Sequence, residues 1–136
     1  MARNVLVDAG FIVALLNGRD EHHLWSVAQV PQFATPWHTC EAVLSEALHL
    51  LGSRGLQSMT ALIRRKAVFA DFNLADSIEP VLRLLQKYSD VPMSLADACL
   101  VRMAEVLPDC VLLTTDSDFR VYRRSGRQTV PCVTPD

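Results

Sequence analysis

The chain has very little lysine, no closely spaced cysteines and no long apolar run, and each shortage excludes something. Of its 13 basic residues only Lys66 and Lys87 are lysine, and the net charge is −2. That balance excludes a broadly basic coat for nucleic acid. It leaves room for a local basic patch, because phosphate contacts act locally. The arginine bias supplies bidentate forks for phosphate or carboxylate; a GC-rich genome would leave the same mark. Cys40, Cys99, Cys110 and Cys132 form no C-x-x-C pair, and three of them lie among apolar neighbours. They read as reduced, mostly buried thiols, and the spacing argues against zinc. No apolar stretch approaches the ~18 residues of a membrane span. The first residues run directly into an apolar strand, without signal-peptide architecture. The expected location is the cytoplasm, with no membrane partner.

What is present is the material of one globular domain. The 136 residues are 50% hydrophobic and 21% charged, enough for a core without staples. No repeat, low-complexity tract or linker interrupts them, so a single domain over 1–136 is expected. Val5 to Val7 reads as a strand and "FIVALLN" as a short helix. "DEHHLWSVAQV" reads as a second helix with Asp20 as N-cap, and Trp25 packing inward. "QFATP" reads as a brief strand stopped by Pro36, and 39–51 as a strong helix closed by Gly52. Further helices are expected over 56–65, 78–88 and from Ser94 to about Leu107. Strands are expected over 67–74, 111–113 and 129–133, with a short helix over 119–124. Strands and helices alternate, which predicts an α/β protein: a three-layer α/β/α sandwich around a mainly parallel sheet. Ligands collect outside the carboxyl ends of the strands in such sheets.

Four acids stand out against that frame. Asp8 and Asp116 each leave a strand exit, where either could also cap the next helix. Asp97 closes an S-x-x-D capping box with Ser94. Its helical neighbours, however, are Leu100, Val101 and Ala104, an apolar stripe, while Arg102 and Glu105 mark the polar face. A carboxylate on the core-facing stripe is costly unless paired or coordinated. On the helix over 39–51, Glu41 shares a polar face with Ser45 and His49. Glu46 lies past the edge of that face, between Ala42 and Leu50, and is the better site residue. Gathered together, Asp8, Glu46, Asp97 and Asp116 would repel unless a hard cation joined them. All-oxygen ligands select Mg²⁺ or Mn²⁺, whose common use is phosphoryl chemistry.

The segments "VLVDAGFIVALLN", "AVLSEALHLL", "SLADACLVRMAE" and "LLTTDSDF" occur in the order found in PIN-domain ribonucleases. The chain resembles in particular the VapC-type toxins of bacterial toxin–antitoxin pairs, from about residue 4 to 134. The resemblance puts Asp8, Glu46, Asp97 and Asp116 on the family's acidic quartet. It puts Asp118 on a variable further acid and Thr114 on a hydroxyl beside the quartet. It implies endonucleolytic cleavage of RNA by a metal-activated water, a homodimer, and inhibition by a small antitoxin protein. Gly10 departs from the Ser, Thr or Asn that many members carry two residues after the first acid. Arg120, Arg123, Arg124 and Arg127 follow Asp116 and are candidates to hold flanking RNA phosphates; a solvated basic end is the plainer alternative. Other outcomes left open are a metal-dependent phosphatase or DNA nuclease, and a protein that binds RNA or a partner without cutting.

Overall fold

The computed structural model describes residues 4–135; the outermost residues of the expected 1–136 domain lie outside the described residues. Its centre is a five-stranded parallel sheet in the order β3-β2-β1-β4-β7, built from β1 (Asn4–Val7), β2 (Trp37–Thr39), β3 (Val68–Ala70), β4 (Cys110–Leu113) and β7 (Cys132–Val133). Five helices surround it: α1 (Ala9–Leu16), α2 (His23–Gln29), α3 (Glu41–Arg64), α4 (Ile78–Lys87) and α5 (Leu95–Val106). The chain steps from β1 to β2 to β3 in one direction and returns to β4 on the other side of β1. The result is the expected three-layer α/β/α sandwich.

Burial explains why the central strands read so clearly. Leu6, Val7, Leu112 and Leu113 are fully buried, as the two-faced burial of a parallel sheet requires. Phe11 meets Trp37 edge-on at 5.5 Å and Trp25 at 5.9 Å, so Trp25 does pack inward. All four cysteines are free thiols, three of them buried.

Several boundaries differ from expectation. The second strand follows Pro36 instead of ending at it. Proline has no N–H to donate, so pairing starts at Trp37, whose N–H reaches the Ala67 carbonyl. Asp20 does not cap α2. Its Oδ1 accepts the His22 N–H at 2.8 Å, and the helix starts one residue later. The helix expected over 119–124 is a 3₁₀ turn (Ser117–Arg120) followed by the short strand β5 (Arg123–Arg124). Tyr122 sets this break: it is fully buried, and its hydroxyl donates to the Pro92 carbonyl at 2.5 Å. The last expected strand splits at Pro131 into β6 (Gln128–Thr129), paired antiparallel with β5, and β7.

Gly52 does close the first helical stretch, but the chain resumes helix at once, so α3 is one long element bent there. Gly52 adopts φ 67°, ψ −166°, a region open almost only to glycine. We expect Gly52→Ala to lower stability by about 1–3 kcal/mol, read from chemical denaturation. An unchanged midpoint would show that the bend tolerates a side chain.

Candidate active site

The sheet order makes β1 and β4 neighbours whose onward connections run to opposite sides. That leaves a crevice at their carboxyl ends, the usual ligand position in open α/β sheets. Asp8 is the first residue beyond β1. Thr114, Thr115 and Asp116 are the first beyond β4. Helix α3 contributes Glu46 and the start of α5 contributes Asp97. Asp8, Glu46, Asp97 and Asp116 line one cavity of about 160 Å³.

The crevice walls are tied by one threonine. Thr114 is fully buried. Its Oγ1 accepts the Asp116 N–H at 2.9 Å and donates to Asp8 Oδ2. Asp8 Oδ1 accepts the Phe11 N–H at 2.8 Å, capping α1. Asp116 Oδ1 accepts the Asp118 N–H at 2.9 Å. In the Ser94–Asp97 capping box both hydrogen bonds form at 3.0 Å. Capping and cavity positions therefore coincide for three of the four acids. Each carboxylate keeps lone pairs that the caps do not use.

Electrostatics separate this cavity from an ordinary polar crevice. Burial pushes the Asp8 carboxyl up to about 7; the hydrogen bonds from Thr114 and Phe11 oppose the rise, and the charges of Asp116 and Asp97 add to it. Burial also raises Asp97, helped by the charges of Asp116 and Glu46. Among the described residues, no basic side chain lines the cavity. Among the described residues, no three acids, histidines or cysteines already stand close enough to enclose an ion. The donor set nevertheless fits a hard divalent cation: four carboxylates, no nitrogen or sulfur, and an uncompensated charge that burial makes costly.

The other expected residues sit elsewhere. Glu41 does not line the cavity, in keeping with its place on the polar face. Asp118 lies outside the lining, its N–H engaged by Asp116. Arg120 is exposed, and its Nη2 donates to Thr134 at 2.5 Å. Arg123 Nη1 donates to the carbonyls of Arg120, Val121 and Tyr122 at 2.6, 3.2 and 3.1 Å, and its side chain lines a different cavity beside α4. Arg124 Nη1 donates to the Ala104 carbonyl at 3.0 Å. Arg127 is exposed. None of the four lines the acidic cavity.

One lining residue was missed. A Cβ at position 10 would lie 2.3 Å from Thr115 Oγ1, so the glycine makes room for that hydroxyl at the cavity wall. The doubled threonine of "TTD" was the visible signal. Which of the two reaches the lining depends on how the chain turns after β4.

A buried acid with a raised pKa leaves a mark on stability. Unfolded Asp8 titrates near 4 and folded Asp8 near 7, so the native state holds the extra proton between them. This group's contribution is therefore lost as pH rises from about 4 through 7. In metal-free protein at pH 8, we expect Asp8→Asn to be more stable than wild type by about 1–3 kcal/mol, read from denaturant titrations at pH 5 and 8. A less stable variant at pH 8 would contradict the buried-charge account.

Comparisons with known proteins agree with this architecture. The crystal structure of VapC20 from Mycobacterium tuberculosis, described as a sarcin–ricin loop cleaving toxin, superposes with a TM-score of 0.73 at 23% identity, covering 87% of this chain and 94% of that one. At that identity the likeness is one of fold. No curated protein sequence matches the chain. The PIN domain family matches residues 5–125, nearly the full sheet and all four lining acids, and the chain belongs to that family.

Proposed function

We propose that the protein is a Mg²⁺- or Mn²⁺-dependent endoribonuclease, the toxin of a bacterial toxin–antitoxin pair. The observation that carries the proposal is a cavity at the sheet's switch point lined, among the described residues, by four carboxylates and no base. Membership of the PIN-domain family and the fold shared with an RNA-cleaving toxin support the same assignment. Asp8, Asp97 and Asp116 would hold the cation, with Glu46 joining through water; Asp118, outside the lining, is left as an outer contributor. When bound, such an ion polarises the scissile phosphate and lowers the pKa of a nearby water.

The chain's own groups do the rest. Exposed Glu46, at the cavity rim, orients the attacking water and accepts a hydrogen bond from it. The Thr115 hydroxyl faces the same space and donates to a phosphate oxygen. Thr114 keeps Asp8 and Asp116 in register as outer support. Homodimer formation and inhibition by a cognate antitoxin belong to the same proposal. Among the described residues no helix is long and apolar enough to cross a membrane; a cytoplasmic site of action is proposed with the rest.

The test is cleavage of structured and single-stranded RNA with Mg²⁺, Mn²⁺ or chelator. We expect cutting that requires the metal, survives Glu41→Gln, and falls by at least about 100-fold in Asp97→Asn. That exceeds the loss usual for outer partners of a metal ligand. No cutting of any RNA, together with no metal binding, would return the acids to caps and put a binding protein in its place.

Metal binding has to displace the proton on Asp8. Because its pKa is raised to about 7, a cation competes with that proton below pH 7 and meets the ionised carboxylate above it. Calorimetry with Mn²⁺ is expected to show affinity falling about tenfold per pH unit below 7 and levelling off above it. A flat profile from pH 5.5 to 8 would remove Asp8 from the ligands.

A further inference from the structure

The acidic cavity is not the only opening along the seam between α1 and α3. It takes Gly10 from the start of α1 and Glu46 and Leu50 from α3. At the other end of the same seam, a cavity of about 270 Å³ is lined by Asn17 and Arg19, just past α1, and by Leu51 and Arg54 of α3. Leu50 in one lining and Leu51 in the other are consecutive residues, so α3 borders both openings within one turn.

The second cavity has the opposite electrostatic character. Among the described residues it is lined by two arginines and no acid. Both are exposed, and among the described residues neither guanidinium has a hydrogen-bond or ion-pair partner. Local structure brings them together. Asn17 Oδ1 accepts the Arg19 N–H at 3.0 Å, shaping the turn after α1. The bend at Gly52 redirects α3 just before Arg54. Another basic cavity, beside α4, differs in this respect. There Arg102 pairs with Glu105 at 3.3 Å, Lys87 donates to the Gly126 carbonyl and Arg123 to three carbonyls. Its cations are largely used internally, and those of the α1–α3 cavity are not.

We propose that the Arg19–Arg54 cavity is a phosphate-binding subsite, and that its ligand is a backbone phosphate of the RNA strand whose scissile bond lies over the acids. The proposal rests on the ribonuclease assignment above. Two uncommitted guanidinium forks match phosphate oxygens bidentately. The eight residues of α1 span about 12 Å, on the order of three stacked nucleotides at 3.4 Å each. Exposed Leu50, in the lining of the acidic cavity, offers an apolar floor for a base. A strand laid along the seam would thus meet the acid site at one end and the arginines a few nucleotides away. The acid site alone repels the rest of the strand, so a positive contact beyond it sets both affinity and the position of the cut.

The test measures binding in an Asp97→Asn background, where cleavage is suppressed, by anisotropy of a fluorescein-labelled single-stranded RNA long enough to span both openings. Arg19→Ala/Arg54→Ala is expected to bind this RNA about tenfold more weakly. The slope of log affinity against log salt should become shallower by about 0.7 for one lost phosphate contact. Arg64→Ala, exposed at the far end of α3, should change neither, and a dinucleotide should bind all proteins alike. Equal RNA affinity and slope in wild-type and double-variant arginine backgrounds would overturn the proposal. So would equal RNA affinity with inorganic phosphate bound only when both arginines are present, which would make the site one for free phosphate. Wild-type cleavage of RNA is assayed in parallel. Loss of RNA binding in the double variant without any wild-type turnover would sink the ribonuclease assignment and keep the subsite. Turnover with unchanged binding would do the reverse.

Discussion

Repulsion between carboxylates at the carboxyl end of the sheet is the constraint around which the rest of the molecule is arranged. Asp8 is buried, and two neighbouring acids raise its pKa beyond what burial does alone. Among the described residues nothing basic lines the cavity to relieve them. The fold tolerates this because Asp8, Asp97 and Asp116 are each anchored by a backbone N–H, and Asp8 also by a hydroxyl. The Thr114 bridge between Asp8 and Asp116 holds the exits of β1 and β4 together. At the buried position of Asp8 a hydrophobic residue would suit the core better. Such local violations of folding preference are expected where function is built.

The same anchoring makes the acids ambiguous one at a time. Asp8, Asp97 and Asp116 all accept backbone N–H groups at the start of a helix or turn. An N-cap faces the end of the element that precedes it, which in a parallel sheet is the ligand side. Capping thus places a carboxylate where a cation can reach it, and one residue serves stability and chemistry together. The seam between α1 and α3 extends this economy outward. An acid end and an arginine end lie on the same pair of helices, with the bend at Gly52 between them.

Much of this was legible in the residues. The apolar runs at Val5–Val7 and Val111–Leu113 have no polar alternation, and parallel strands covered on both faces look like that. Asp97 stood out because its helical neighbours are apolar, and Glu46 could be separated from Glu41 by the face it occupies. Less legible were elements decided by single long-range contacts. The helix expected over 119–124 gives way because Tyr122 is drawn into the core and reaches the Pro92 carbonyl, a contact no local window contains. Arg123 sits on a basic run that suggests solvent or phosphate, yet its guanidinium turns back onto three carbonyls of its own turn. Thr115 could not be ranked beside Thr114 without knowing how the chain leaves β4.

By itself the sequence determined the alternating α/β order and pointed to four acids, Asp8 and Asp116 at strand exits and Asp97 and Glu46 on helices, as candidates for one site. Those follow from periodicity and from the cost of burying charge, both of which act over a few residues. Only the tertiary structure decided that the four acids share one cavity, that Gly10 makes room for the Thr115 hydroxyl, and that Arg19 and Arg54 meet without an acid between them. These depend on which strands are neighbours and how α3 bends at Gly52. Crossover handedness and packing between distant segments set those relations, and no local stretch of sequence encodes them.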